Sequence, residues 1–176
     1  MIDLQKEFNK ILDDEGSYIL LIKPSKKIKC ICWNDLSKSA DTKCPICLGT
    51  GFTIKVERHI SLSFTASVTE SLPRLKRVAE PSSLTIDGKY FYLKTNSRVS
   101  QGDVIVEASF DRSGRPYGQF EFFNVNQVSS FRLKNKIVYH RAACPESPIN
   151  SDIKAFNLKK MAGKINYYPI YKESYS

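Results

Sequence analysis

The first stretch of the chain alternates apolar and polar residues with a helical period. Leu4, Phe8, Ile11 and Leu12 fall on one face of a helix over 3–15, with Lys6, Lys10 and Asp13 on the others, and Gly16 stands where a C-cap belongs. Such a helix covers one end of a core or serves as an arm that docks on a partner. Beyond it the pattern is that of strands. Tyr18 to Lys23 (YILLIK) is a short apolar run closed by Pro24, and its length and flanks favour a strand. In FTIKVERHISLSFTAS, Phe52, Ile54 and Val56 alternate with Thr53, Lys55 and Glu57. The pattern shifts near His59, before Ile60, Leu62 and Phe64, which suggests a bulge or bend between two strand halves.

From Ser71 to Pro81 the alternation breaks, and the segment reads as a loop or short helix. LTI and KYFYLK flank Asp87-Gly88, a type I′ hairpin signal. GDVIVEASF is a further strand, turned by DRSG with Gly114 able to take a positive φ. GQFEFFNVNQV and SFRLKNKIVYHRAA read as two more strands. After Cys144 nothing is periodic for long. This tail has a basic run around Lys159, Lys160 and Lys164 and ends in aromatic INYYPIYKESYS; its Tyr-rich segment 164–172 is expected to pack on a neighbouring chain.

Strands at roughly ten-residue spacing predict a mainly β chain: a small antiparallel barrel or sandwich with an N-terminal helix and an inserted four-cysteine zinc knuckle. The organisation expected is helix and first strand over 1–23, knuckle over 24–56, β-barrel domain over 57–143 and tail over 144–176. A chain of 176 residues makes about one domain and buries a core without needing disulfides. No run of 18 apolar residues exists, so no transmembrane helix is expected. The opening MIDLQKEFNK has no apolar core of the kind a secretory signal carries.

The chemistry is concentrated in the cysteines. Four of the five, Cys30, Cys32, Cys44 and Cys47, lie in one short stretch, and Cys144 stands far away. Two close pairs of thiolates meet the tetrahedral demand of a structural zinc ion. In the C-x-x-C half a tight turn lets both sulfurs face one ion while backbone N–H groups point at them. Gly49 and Gly51 let the chain leave without a Cβ clash. The C-x-C half requires a kink at Ile31. Two disulfides, an iron–sulfur cluster and an empty site are the alternatives. A thioredoxin-like redox motif lacks its βαβ setting, and a catalytic zinc would keep an open position. A zinc ion with four thiolates carries about −2, lowering the formal charge of +9 to about +7, and Lys27, Lys29, Lys38, Lys43 and Lys55 are placed to offset it.

Nothing else assembles into an enzyme. His59 and His140 sit in strands and read as packed or surface imidazoles, and Cys144 as a buried structural thiol. The basic surface allows nucleic acid, an acidic protein or an acidic membrane as partner. Arg74, Lys76, Arg77 and the tail lysines are candidate phosphate contacts. Tyr90, Phe91 and Tyr92 alternate on a strand as on an OB-type binding face; the competing reading puts Phe91 in the core and leaves Tyr90 and Tyr92 half exposed.

The segments CICWND…CPICLGTGF, QGDVIVEASFD and NKIVYHRAAC resemble the neck proteins that join head to tail in tailed bacteriophages, particularly those of Gram-positive hosts. The resemblance covers about residues 15–145. The C-x-x-C-x-G-x-G portion alone is also similar to the cysteine-rich repeats of heat-shock co-chaperones, which come in multiples, whereas this chain has one half-copy. The neck resemblance implies a non-enzymatic virion structural protein: a β-barrel adaptor present as a homo-oligomeric ring, with Zn2+ held by Cys30, Cys32, Cys44 and Cys47. Its implied partners are further copies of itself, the portal or connector and the tail-side neck proteins, with packaged DNA as a partner without sequence specificity and no membrane. The implied location is the virion neck, assembled in the host cytoplasm. The competing expectation is a zinc-containing nucleic-acid-binding β-barrel protein.

Overall fold

A computed structural model describes residues 4–66, 88–133, 135–145, 152–161 and 166–167. Helix α1 spans Leu4–Glu15. Strands follow as β1 (Ser17–Lys29), β2 (Trp33–Asn34), β3 (Ser39–Ala40), β4 (Phe52–Ala66), β5 (Gly88–Leu93), β6 (Val104–Phe110), β7 (Pro116–Asn124), β8 (Gln127–Leu133) and β9 (Lys136–Pro145). A single 3-10 turn at Thr95–Ser97 between β5 and β6, helix α2 (Asp152–Met161) and the short β10 (Asn166–Tyr167) complete the described elements. The chain is thus mainly β, with an N-terminal helix and a cysteine cluster inserted between β1 and β4. No described helix is long and apolar enough to cross a membrane.

One eight-stranded sheet carries the fold in the order β7-β6-β1-β4-β5-β9-β8, antiparallel along that path, and β10 runs parallel to β4 beside Glu57 and Arg58. The sheet rolls until its two halves face each other. Ile19 and Leu21 of β1, Ile105 of β6 and Phe123 of β7 share one core with Phe91 of β5 and Ala142 and Cys144 of β9. The Phe91 and Phe123 rings lie 5.4 Å apart. Among the described residues the terminal strands β7 and β8 are not hydrogen-bonded as neighbours, so the described strands form an open rolled sheet and not a closed barrel.

The contiguous run in β1 has a simple cause. Ile19, Leu20, Leu21 and Ile22 are all buried because both faces of this strand are covered. Ile19 and Leu21 point into the roll; Leu20 and Ile22 join Val106, Phe120, Phe122, Leu48 and Leu158 on the outside. Burying each such side chain contributes about 1.5–3 kcal/mol. Contrary to expectation, β1 does not end at Pro24. Its ladder with β6 stops at Ile22, so Pro24 lies beyond that ladder, and β1 runs on beside β4 with an irregularity between Pro24 and Lys29.

Strand β4 corrects another expectation. Its pairing with β1 is continuous from Ile54 to Ser61, with no bulge at His59. Phe52 to Phe64 keep one phase throughout, interrupted only by Arg58. In the opposite, polar row Glu57, His59 and Ser61 are all buried. Beyond Ser61 the strand changes partner from β1 to β5. The sequence SFRLKNKIVYHRAA is likewise two strands and not one. β8 ends at Leu133 and β9 begins at Lys136, with Asn135 at φ 67°, a left-handed turn position that Asn tolerates. Both edges of β5 are taken, by β4 and β9. The expected LTI half of its hairpin, and the 71–81 segment with Arg74, Lys76 and Arg77, lie outside the described residues.

α1 forms as its period predicts, and the Gly16 N–H caps it on the Leu12 carbonyl at 2.9 Å. Gly16 is needed for close approach: a Cβ there would stand 2.3 Å from the Leu12 carbonyl oxygen and 2.4 Å from Ile60 Cγ2. Leu12 is fully buried and Phe8 stacks on Tyr139 at 4.6 Å, while Leu4 and Ile11 stay 42% and 46% exposed. The tail, read as aperiodic, contains α2, whose Leu158 is fully buried against the outer face of the sheet. Part of the Tyr-rich segment, Asn166–Tyr167, pairs with this chain's own β4. The remainder of 164–172 lies outside the described residues.

Candidate metal centre

The knuckle grows out of the ends of β1 and β4. The Cys30 N–H bonds to the Gly51 carbonyl at 2.9 Å, closing the base of the insertion. The Trp33 N–H then returns to the Cys30 carbonyl at 3.0 Å, which supplies the kink the C-x-C half requires. Strands β2 and β3 form a small hairpin, Trp33 opposite Ala40. Its turn is held by Asn34 Oδ1, which accepts from the Leu36 and Ser37 N–H groups.

The second cysteine pair sits on a tight turn. The Leu48 N–H bonds to the Cys44 carbonyl at 3.0 Å, and the Thr50 hydroxyl and N–H both bond to the Cys47 carbonyl. Gly49 and Gly51 have φ of 80° and 78°. At each a side chain would be strained and crowded, at Gly49 against Thr42 and at Gly51 against the Trp33 ring.

These turns bring Cys30, Cys32, Cys44 and Cys47 together, with their sulfurs all within 4.8 Å of one another. Cys30 and Cys44 Sγ are 3.8 Å apart, and Cys32 and Cys47 Sγ 3.5 Å. A disulfide needs about 2.05 Å, so no pair is bonded. Four sulfurs ~2.3 Å from one tetrahedral ion stand roughly 3.8 Å from each other, and the cluster approaches that spacing. In a cluster of several irons the thiolates bind different irons and spread further apart. The donor set therefore fits a single tetrahedral ion.

Backbone N–H groups point at the sulfurs, as the turn chemistry predicts: those of Ile46 and Cys47 at Cys44, of Gly49 and Gly51 at Cys47, and of Asp41 at Cys32. At Cys44 burial works to raise the thiol, but those N–H groups, helped by hydrogen bonds from the Cys32 and Cys47 thiols, outweigh it and bring it to about 7. Burial, and then the neighbouring Cys47 and Cys44 thiols, push Cys32 up to about 12; burial also raises Cys47. Sulfurs this close ionise together only around a cation. The expected lysine shield is thinner than the sequence suggests. Lys29 pairs with Asp35 at 2.6 Å, and Lys55 with Glu57 at 2.7 Å.

The knuckle is tied to the body. Leu48 is buried with Leu20, Ile22, Val56 and Leu158. Asn157 of α2 donates from Nδ2 to the Lys43 carbonyl at 3.5 Å.

Other singled-out residues lie apart from the sulfurs. Cys144 is buried in the inner core, and burial, then the nearby Glu107 carboxylate, push its thiol up to about 12. His140 Nδ1 meets the Ser130 hydroxyl at 2.8 Å. His59 belongs to a cluster the sequence reading missed. Glu57, 3% exposed, receives Lys23 at 2.8 Å, Lys55 at 2.7 Å and His59 Nε2 at 3.0 Å. Burial opposes its charge, yet these donors outweigh that and hold the carboxyl at about 2. The only sequence signal was Lys23, whose place on β1 puts it on the face that Glu57 shares.

Tyr90 and Tyr92 are half-buried on the outer face and Phe91 is fully buried, as alternation predicts. Tyr92 packs at 5.6 Å on Tyr139, which stacks on Phe131 at 5.2 Å, and Arg141 lies over the Tyr90 ring at 5.3 Å. An open hollow of ≈ 300 Å³ beside β1, β6 and β7 is lined by Ser17, Tyr18, Glu107, Ser109, Gln119 and Glu121 among others; no histidine or cysteine is in its wall.

No protein-family model matches this chain, and no curated protein matches it.

Proposed function

We propose that this chain is a non-enzymatic structural adaptor stapled by one Zn2+ on Cys30, Cys32, Cys44 and Cys47, and that it works as a ring component in the neck of a tailed bacteriophage. The observation that carries the zinc assignment is the spacing of the four sulfurs, 3.5 Å between Cys32 and Cys47, 3.8 Å between Cys30 and Cys44, and all within 4.8 Å of one another. A tetrahedral all-thiolate site has no open position, so the ion's role is to hold the knuckle's shape. The neck assignment is supported by the CICWND…CPICLGTGF resemblance together with a knuckle anchored on a rolled β sheet. Within that reading the portal or connector and the tail-side neck proteins are the partners, and the assembled virion is the location.

Metal analysis of the purified chain with native mass measurement tests both parts. The expected result is one zinc per chain and a closed oligomer, seen as rings in negative-stain images. Absence of stoichiometric metal overturns the zinc site. A chain absent from the neck of assembled particles overturns the neck role.

One observation favours a second reading, nucleic-acid binding: the Tyr90, Tyr92, Tyr139 and Phe131 rings on the outer face, with Arg141 over Tyr90. Salt-dependent retention on single-stranded DNA at physiological ionic strength would support it.

A further inference from the structure

The knuckle and the strand end that leads into it expose aliphatic surface. Ile31 and Leu36 of the knuckle are 89% and 97% exposed, and Ile28 near the end of β1 is 61% exposed. Lys26 and Lys27 in the same strand end, and Lys38 and Lys43 in the knuckle, are exposed too, and among the described residues none of these four is ion-paired. Fixing such a surface in place leaves apolar area in water unless a partner covers it.

A complementary surface lies at the other end of the same chain. On α1, Leu4, Glu7, Ile11, Asp14 and Glu15 share one stripe at helical spacing, beside the face that carries Phe8 and Leu12 to the sheet. All five are exposed. Lys6, Lys10 and Asp13 lie on the far side, and Asp13 is already paired with Lys94 at 2.6 Å. The stripe therefore offers two aliphatic side chains and three carboxylates, and among the described residues no ion pair engages those carboxylates.

The two surfaces cannot meet within one molecule. α1 ends at Glu15, just before β1 begins, and the knuckle starts where β1 ends, thirteen residues of strand later. At ~3.3 Å per residue that is about 40 Å of strand. Two different, complementary patches at opposite ends of a chain are what a head-to-tail contact requires, and head-to-tail contacts generate rings when the rotation closes.

We propose that the knuckle of one copy docks on the α1 stripe of the next, Ile31 and Leu36 packing on Leu4 and Ile11, and Lys27 and Lys38 facing Glu7, Asp14 and Glu15. This contact rests on the ring reading above and gives it an interface. The metal's part is to hold the apolar tip in a shape the helix can receive.

The test uses the full-length, zinc-loaded chain. A knuckle-face variant, Leu36→Asp with Lys38→Glu, and a helix-face variant, Glu7→Lys with Ile11→Lys, change only exposed positions that do not adjoin a cysteine ligand; unchanged circular dichroism and one zinc per chain confirm that both fold. Native mass spectrometry is expected to find each variant monomeric where the wild type assembles. Mixed together they should form a one-to-one dimer and stop, because only one intact knuckle and one intact helix remain. Reversing charge on both faces, Lys27→Glu and Lys38→Glu with Glu7→Lys and Asp14→Lys, should restore assembly at least ~10-fold over either half alone at low salt. If either single-face variant assembles like the wild type, the contact is elsewhere and this proposal falls while the ring reading stands. If the zinc-loaded wild type stays monomeric across its concentration range, both fall.

Discussion

Gly51 lies against the indole of Trp33: a Cβ on Gly51 would stand 2.7 Å from Trp33 Cε3. The same glycine gives its carbonyl to the Cys30 N–H and lies at φ 78°. It thus closes the knuckle's base, aims an N–H at Cys47 and seats the ring that packs on Phe52 at 5.6 Å. Gly51→Ala should weaken metal retention roughly 10–100-fold, the size of effect found when groups behind metal ligands are displaced. Competition against a chromophoric chelator measures it, and an unchanged affinity would show that the Trp33 contact does not support the site.

Substitution of the cysteines separates site from core. Cys44→Ser or Cys47→Ser should reduce bound metal from one ion per chain to none. Cys144→Ser should leave the metal content unchanged, because Cys144 belongs to the inner core. Stripping the ion should deprotect the Leu48 amide, whose acceptor is the Cys44 carbonyl, before the β1 amides around Leu20 and Leu21 exchange. Simultaneous exchange of both sets would mean that the knuckle and the sheet unfold as one unit.

Glu57 makes a pH prediction with a definite sign. Its carboxyl lies at about 2 in the folded chain against an ordinary 4.5. Its contribution, on the order of 3 kcal/mol, is therefore complete above pH 4.5 and lost as the pH falls through 2. Burial holds His59 below its ordinary 6.5, so acidification below that pH also favours the unfolded chain. Asp103, raised above 3.8 by burial, works in the opposite direction. In urea titrations, wild type and Glu57→Gln should differ most at about pH 7 and converge towards pH 2. Parallel curves across that range would place the Lys23, Lys55 and Glu57 pairing outside the stability balance.

Helix α2 should behave as part of the fold. Leu158 is fully buried with Leu20, Ile22 and Leu48, so Leu158→Ala should cost about 2–5 kcal/mol. The exposed Lys159, over the Phe120 ring at 5.2 Å, should cost under ~1 kcal/mol when changed to Ala. Chemical denaturation gives both values. Equal small effects would mean that α2 is a detachable tail.

Elements were readable in advance where their signal was local. α1, β6, the turn at Gly114 and the cysteine set are of this kind, because helical period, strand alternation and ligand spacing are properties of neighbouring residues. The β8–β9 hairpin was missed because Lys134-Asn135 is a weaker turn signal than Asn-Gly or Asp-Gly. α2 was missed because its buried face is narrow: among its described side chains only Asn157 and Leu158 are buried.

Local order along the chain was enough to predict a mainly β chain and to single out four cysteines with metal-ligand spacing; that their sulfurs lie within 4.8 Å of one another is a fact of the fold. Long-range packing chose which faces those strands bury. YILLIK is apolar on both sides because the rolled core takes one face while Leu48 and Leu158 cover the other. Glu57 is buried with its charge because Lys23 reaches it from β1, across the β1–β4 pairing, while Lys55 reaches it along β4 itself. Alternation records only that a strand has two sides; which side is dry depends on what the rest of the chain lays against it.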